Sequence, residues 1–77
     1  MKVVPVDSEN IMLEVHNPNR ENVLCAVYNT NGQMLAFKEL GSAEEMVTNI
    51  QVNAMMGVLL VRVVVGNDVS TVKTVMR

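Results

Sequence analysis

The chain has 77 residues, 16 of them valine, with one Phe, one Tyr, one Cys and no Trp. Six basic and eight acidic residues leave a net charge of −2, which excludes the basic surface of a nucleic-acid binder. A single cysteine excludes an internal disulfide, and a single histidine excludes an ordinary zinc site.

The length admits one small domain with a thin core, and a β-branched excess of this size favours strands over helices. Lys2 is followed by Val3-Val4-Pro5-Val6 and then by the polar Asp7-Ser8-Glu9-Asn10. That apolar stretch is too short for a secretory signal. As a whole protein the chain reads as cytosolic; as a piece of a longer one it says nothing about compartment. Residues 1–9 read as a polar, proline-broken lead, and residues 10–77 as the domain proper.

In residues 10–16, Ile11, Leu13 and Val15 share one face, with Glu14 and His16 opposite. That is the period of a half-buried strand. A polar turn over 17–22 follows, then an almost continuous apolar run over 23–28, as expected of a central strand covered on both sides. Asn31-Gly32 predicts a two-residue hairpin turn. Residues 33–40 alternate, with Leu35 and Phe37 opposing Ala36 and Lys38. Ser42 with Glu45 three residues on resembles a capping box, so residues 42–46 read as one helical turn at most. In 46–53, Thr48, Ile50 and Val52 face one way and Asn49, Gln51 and Asn53 the other. Met55 and Met56 fall in the next turn and read as a core plug. Residues 58–65 form the second apolar run, interrupted only by Arg62. After the turn at Gly66-Asn67-Asp68, residues 69–76 set Val69, Thr71, Lys73 and Val75 against Ser70, Val72, Thr74 and Met76. The spacing predicts an all-β, immunoglobulin-like sandwich of about seven antiparallel strands.

Little in the chain suggests catalysis. Cys25 lies within Val23-Leu24-Cys25-Ala26-Val27, with no charged neighbour to activate it. It reads as a small hydrophobe, or as an intermolecular disulfide partner should its face be open. His16 lacks a second catalytic residue nearby in sequence. Glu44 and Glu45, like Asp7 and Glu9, read as solvated loop carboxylates. The glycines lack the strand–glycine–helix context of a phosphate loop. The chain is therefore read as no enzyme, with no cofactor and no small-molecule substrate.

Three segments carry a family likeness. Val27-Tyr28-Asn29-Thr30-Asn31-Gly32-Gln33 is a strand and hairpin ending in Gly-Gln, and Gly57-Val58-Leu59-Leu60-Val61-Arg62-Val63 follows two dozen residues later. The chain closes on Thr71-Val72-Lys73-Thr74-Val75-Met76-Arg77. This order resembles the C-terminal sorting domain (type A family) of cargo proteins of the type IX secretion system of Bacteroidetes. Members carry a Val-Tyr-Asn hairpin, a Gly-Val-aromatic-hydrophobic-Val-Arg-Val strand and a short basic last strand. Here Leu59 stands where the family has an aromatic, and only Pro5 answers the usual Pro-Asn-Pro lead.

The resemblance implies a C-terminal secretion signal rather than an activity. It implies a longer precursor with its own signal peptide, in transit through the periplasm and then secreted or held at the outer-membrane surface. Its partners would be the type IX outer-membrane and periplasmic components and a surface sortase that cuts near or before residues 1–9. Carried over residue by residue, recognition falls on Asn31, Gly32, Gln33, Gly57, Leu59, Val61, Arg62, Lys73, Val75 and Arg77. From the residues alone, Leu59 and Val61 read as core, while Arg62 needs water, a partner or a carboxylate such as Glu39. The last strand offers an edge for strand addition. The alternative is an immunoglobulin-like accessory module for adhesion or dimerisation, and open edges with Cys25 make a homodimer a candidate.

Overall fold

The computed structural model describes residues 1–7, 9–52 and 57–76. Seven strands follow one another: β1 (Lys2–Pro5), β2 (Asn10–His16), β3 (Val23–Tyr28), β4 (Met34–Gly41), β5 (Glu45–Gln51), β6 (Gly57–Val65) and β7 (Asp68–Met76). They form a three-stranded sheet in the order β1-β2-β5 and a four-stranded sheet in the order β4-β3-β6-β7. Every neighbouring pair is antiparallel. The fold is the expected immunoglobulin-like sandwich.

Period-2 alternation builds the core. Ile11, Leu13 and Val15 of β2 and Met46 and Ile50 of β5 point inward from the smaller sheet. Val23, Cys25 and Val27 of β3 and Leu59, Val61 and Val63 of β6 meet them from the larger one. The register places Ile11 beside Ile50 and Val27 beside Val61, so burial also makes the cross-strand apolar pairs that stabilise a ladder.

Four expectations need correction. Residues 2–5, read as part of a lead, form β1 and pair with β2 through Lys2–Glu14 and Pro5–Ile11, so the sandwich begins at Lys2. Residues 42–46 hold no helical turn. Gly41 takes φ +83° at the end of β4, and β2 draws Glu45 and Met46 into β5 opposite His16 and Val15.

The Asn31-Gly32 turn is not a two-residue hairpin. Asn29 and Gln33 close the loop through Asn29 N–H to Gln33 O at 3.0 Å, and Gly32 N–H donates to Asn29 O at 3.1 Å. Gly32 has φ +81° while Asn31 keeps a negative φ, which is a type I turn followed by a left-handed glycine. The Asn29 carboxamide holds it, its Oδ1 accepting from the N–H groups of Asn31 and Gln33.

Finally, β3 and β6 are central in their sheet, but a second layer covers them on one side only. The methionines Met55 and Met56 assigned to a core plug lie outside the described residues, as do Asn53 and Arg77.

Candidate functional site

The last strand, β7, ends the order of the larger sheet, and among the described residues it pairs with β6 alone. It is anchored from within: Thr74 is buried and Val72 half-buried, while Lys73 and Val75 face outward. Beside it, Pro5, Val6 and Asp7 line a groove of about 510 Å3 with Lys73, Thr74 and Val75. At the other end of the same seam, Met1 lines a second cleft with Asp68 and Ser70. β1 and β7 therefore run side by side in the same direction, each in its own sheet.

The groove has opposite charges on its two banks. Asp7 closes the β1–β2 turn, its Oδ1 accepting from Glu9 N–H at 2.8 Å and from Asn10 Nδ2 at 2.9 Å. The Glu9 N–H, and after it the Asn10 amide, hold the Asp7 carboxyl below its ordinary range, because both bonds favour the ionised form. Lys73 supplies the cation across the gap. An extended peptide laid here would find strand backbone along β7, a cation for a carboxylate and an anion for a basic group.

The positions picked from the sequence separate into surface and interior. Asn31, Gly32 and Gln33 are exposed in the β3–β4 turn, and Gly57 opens β6 with φ +124°. Tyr28 pairs with Leu60, Leu60 with Lys73, and Gly57 with Met76. The β3–β4 turn, the start of β6 and the end of β7 thus lie at one end of the larger sheet. Arg62 is exposed on the outward face beside Thr71 and Ala26. Leu59 and Val61 are buried and support β6 from inside, with no surface to offer a partner. Arg77 lies outside the described residues. The ion pairs among the described residues are His16–Glu45 and Arg20–Glu44, so the Arg62–Glu39 contact suggested by the sequence is not made.

The remaining reactive groups do not assemble. Cys25 is 1% exposed, and burial pushes its thiol up to about 11 against a weaker opposing pull from Lys38. Its face is inside the sandwich, which removes it as an intermolecular disulfide partner of the folded chain. His16 Nδ1 meets Glu45 Oε1 at 2.5 Å, with both side chains largely solvated. Among the described residues no three His, Cys, Asp or Glu side chains cluster as metal ligands. No helix there is long and apolar enough to cross a membrane.

Sequence reasoning missed the contribution of Pro5, Val6 and Asp7 to the groove. The signal was present in Asp7 and Asn10, whose three-residue spacing suits a side-chain-closed turn; what it closed against could not be read locally. Compared with models of known protein families and with curated proteins, the chain matches none.

Proposed function

We propose that this domain is a C-terminal sorting domain of type IX secretion cargo, acting as a folded recognition module rather than as an enzyme. The observation that carries the reading is the edge of β7: an anchored last strand that among the described residues pairs with β6 alone, bordering a groove lined by Lys73 and Asp7. The gathering of the Asn31-Gly32-Gln33 turn, Gly57 and the end of β7 at one end of a sheet adds to it. In this reading the outer-membrane machinery binds that end by adding a strand to β7. The buried Leu59 and Val61 hold β6, and through it β7, in place. The surface sortase then acts on chain N-terminal to the paired β1.

The test is export. A periplasmic reporter fused ahead of residues 1–77 in a type IX-competent bacterium should appear at the cell surface or in the medium. Removal of residues 73–77, or Val75→Pro on the docking strand, should leave it in the periplasm. Periplasmic retention of the intact fusion, or unchanged export after the truncation, overturns the proposal.

A further inference from the structure

The two central strands of the larger sheet are apolar on both sides, a pattern expected where both sides are covered, yet the smaller sheet covers only one. On the outward side, the register sets Ala26 between Phe37 and Arg62, and Leu24 between Glu39 and Val64. Leu24, Ala26, Tyr28, Phe37, Arg62 and Val64 line a shallow cup of about 170 Å3 there. Phe37 is 54% exposed. The outward side of the smaller sheet is more polar: Lys2 is beside Glu14, His16 beside Glu45 and Asn10 beside Gln51, with Val4 beside Met12 and the exposed Val47 beside Glu14, so its apolar side chains are interrupted by charges.

The outward side of the larger sheet is modest in size. Four strands at about 4.8 Å and three rows at about 6.8 Å give the whole face a footprint on the order of 400 Å2, shared between apolar side chains and the polar Glu39, Arg62, Thr71 and Lys73, so its apolar part is at or below the size of a monomer's largest patch. The face carries its own complement. Arg62 sits near its centre and Glu39 at its corner, two strands apart, and among the described residues neither is ion-paired within its chain. An apolar partner without a carboxylate would strand the guanidinium in a dry contact, which is strongly unfavourable. A second copy brings the missing group. About a two-fold axis between the faces, Arg62 of each copy meets Glu39 of the other, so one complementary contact is made twice.

We propose that the outward face of the β4-β3-β6-β7 sheet is a homodimer interface, packed sheet on sheet with reciprocal Arg62–Glu39 pairs. Phe37 and Tyr28 supply its large apolar contacts on either side of Ala26, and Lys73 stays solvated at the rim. Two such faces bury about 800 Å2 together, less than a stable specific interface, so the dimer is weak and transient and forms only with rising concentration. This inference stands independently of the sorting reading, since it concerns the chain without any export machinery.

Sedimentation equilibrium of the 77-residue chain, from micromolar to millimolar concentration, reads it directly. The expected result is a mass rising from monomer to dimer. Arg62→Glu or Glu39→Arg alone should weaken association about tenfold or more, and the double variant with the charges exchanged should restore it. Phe37→Ser should also weaken it, with far-UV circular dichroism verifying that each variant keeps its strands. A monomer at every concentration overturns the proposal. So does a dimer indifferent to Phe37→Ser and Arg62→Glu, or a charge exchange that fails to rescue.

Discussion

The side-chain amide of Asn17 donates to the carbonyl of Ala43 at 3.1 Å, joining two sheet-crossing loops 26 residues apart in the chain. The same Nδ2 donates to Glu21 O at 2.7 Å, and Oδ1 accepts from Glu21 N–H at 3.1 Å. Asn17 N–H reaches Glu44 O at 2.7 Å. With 1% exposure, this carboxamide takes the place of water for backbone groups that no strand satisfies. Asn17→Ala is expected to cost about 1–3 kcal/mol, because three part-buried side-chain hydrogen bonds to Glu21 and Ala43 are lost together. A urea melt compares the variants, and an unchanged midpoint would mean that the loops are held by something else.

A second loop contact couples Gly66 to Glu21. Gly66 turns the chain from β6 into β7 with φ +59°, donating its N–H to Asn22 O at 3.0 Å. A methyl group added there would run into the Glu21 carboxylate. Gly66→Ala should therefore destabilise by about 1–2 kcal/mol, from left-handed strain and the clash together. Glu21→Ala in that background should recover the clash portion only, so a double-mutant cycle gives a non-zero coupling. Strict additivity would show that the Glu21 side chain simply swings away.

Cys25 sets an alkaline limit. Its thiol titrates near 11 when folded, above the ordinary value of 9.0 for the unfolded chain. Between those two values the unfolded state has lost the proton that the folded state keeps, so unfolding becomes easier as pH rises. Stability should fall across that window in the parent chain and stay flatter in Cys25→Val. A thiol reagent at neutral pH should label the folded chain only at the rate of global opening; rapid native labelling would contradict the burial.

The Asp7 turn gives the acid counterpart. Its folded carboxyl lies below 3.8, so the stabilisation is complete above that value and disappears as pH falls through the folded one. Stability profiles of the parent chain and Asp7→Asn should therefore be separated near neutrality and draw together below 3.8. The gap should be small, since the group is solvated. Parallel profiles down to the acid limit would remove Asp7 from the turn's stabilisation.

Much of the sandwich was legible in the residues because alternation is a local property. Ile11, Leu13 and Val15 declare an inward face whatever they pair with, and the nearly continuous apolar runs of β3 and β6, the second interrupted only by Arg62, mark the middle of a sheet. What covers each side of those runs is decided by distant chain, which is why double coverage was read where only one layer exists. The Asn31-Gly32 pair announces a turn, but its type depends on how β3 and β4 register, and a shift between Val27 and Tyr28 accompanies the longer loop. Asn17 looked like any turn residue because its partners lie at Glu21 and Ala43. Leu59 and Val61 show a different limit: motif positions and core positions coincide, and sequence alone assigns such residues both roles.

The co-directional course of β1 and β7 has a mechanical consequence. Met1 and Met76 sit at opposite ends of the seam, so tension applied between them runs along the strands. It loads the β1–β2 and β6–β7 hydrogen bonds together, in shear, instead of opening them one after another. Gly57 and Met76, by contrast, are register partners at one end, and tension between them would unzip the ladder bond by bond. In single-molecule stretching the first pair of tethers should yield at the higher force. A domain hauled by its ends would thus travel as a clamp that stays shut under load.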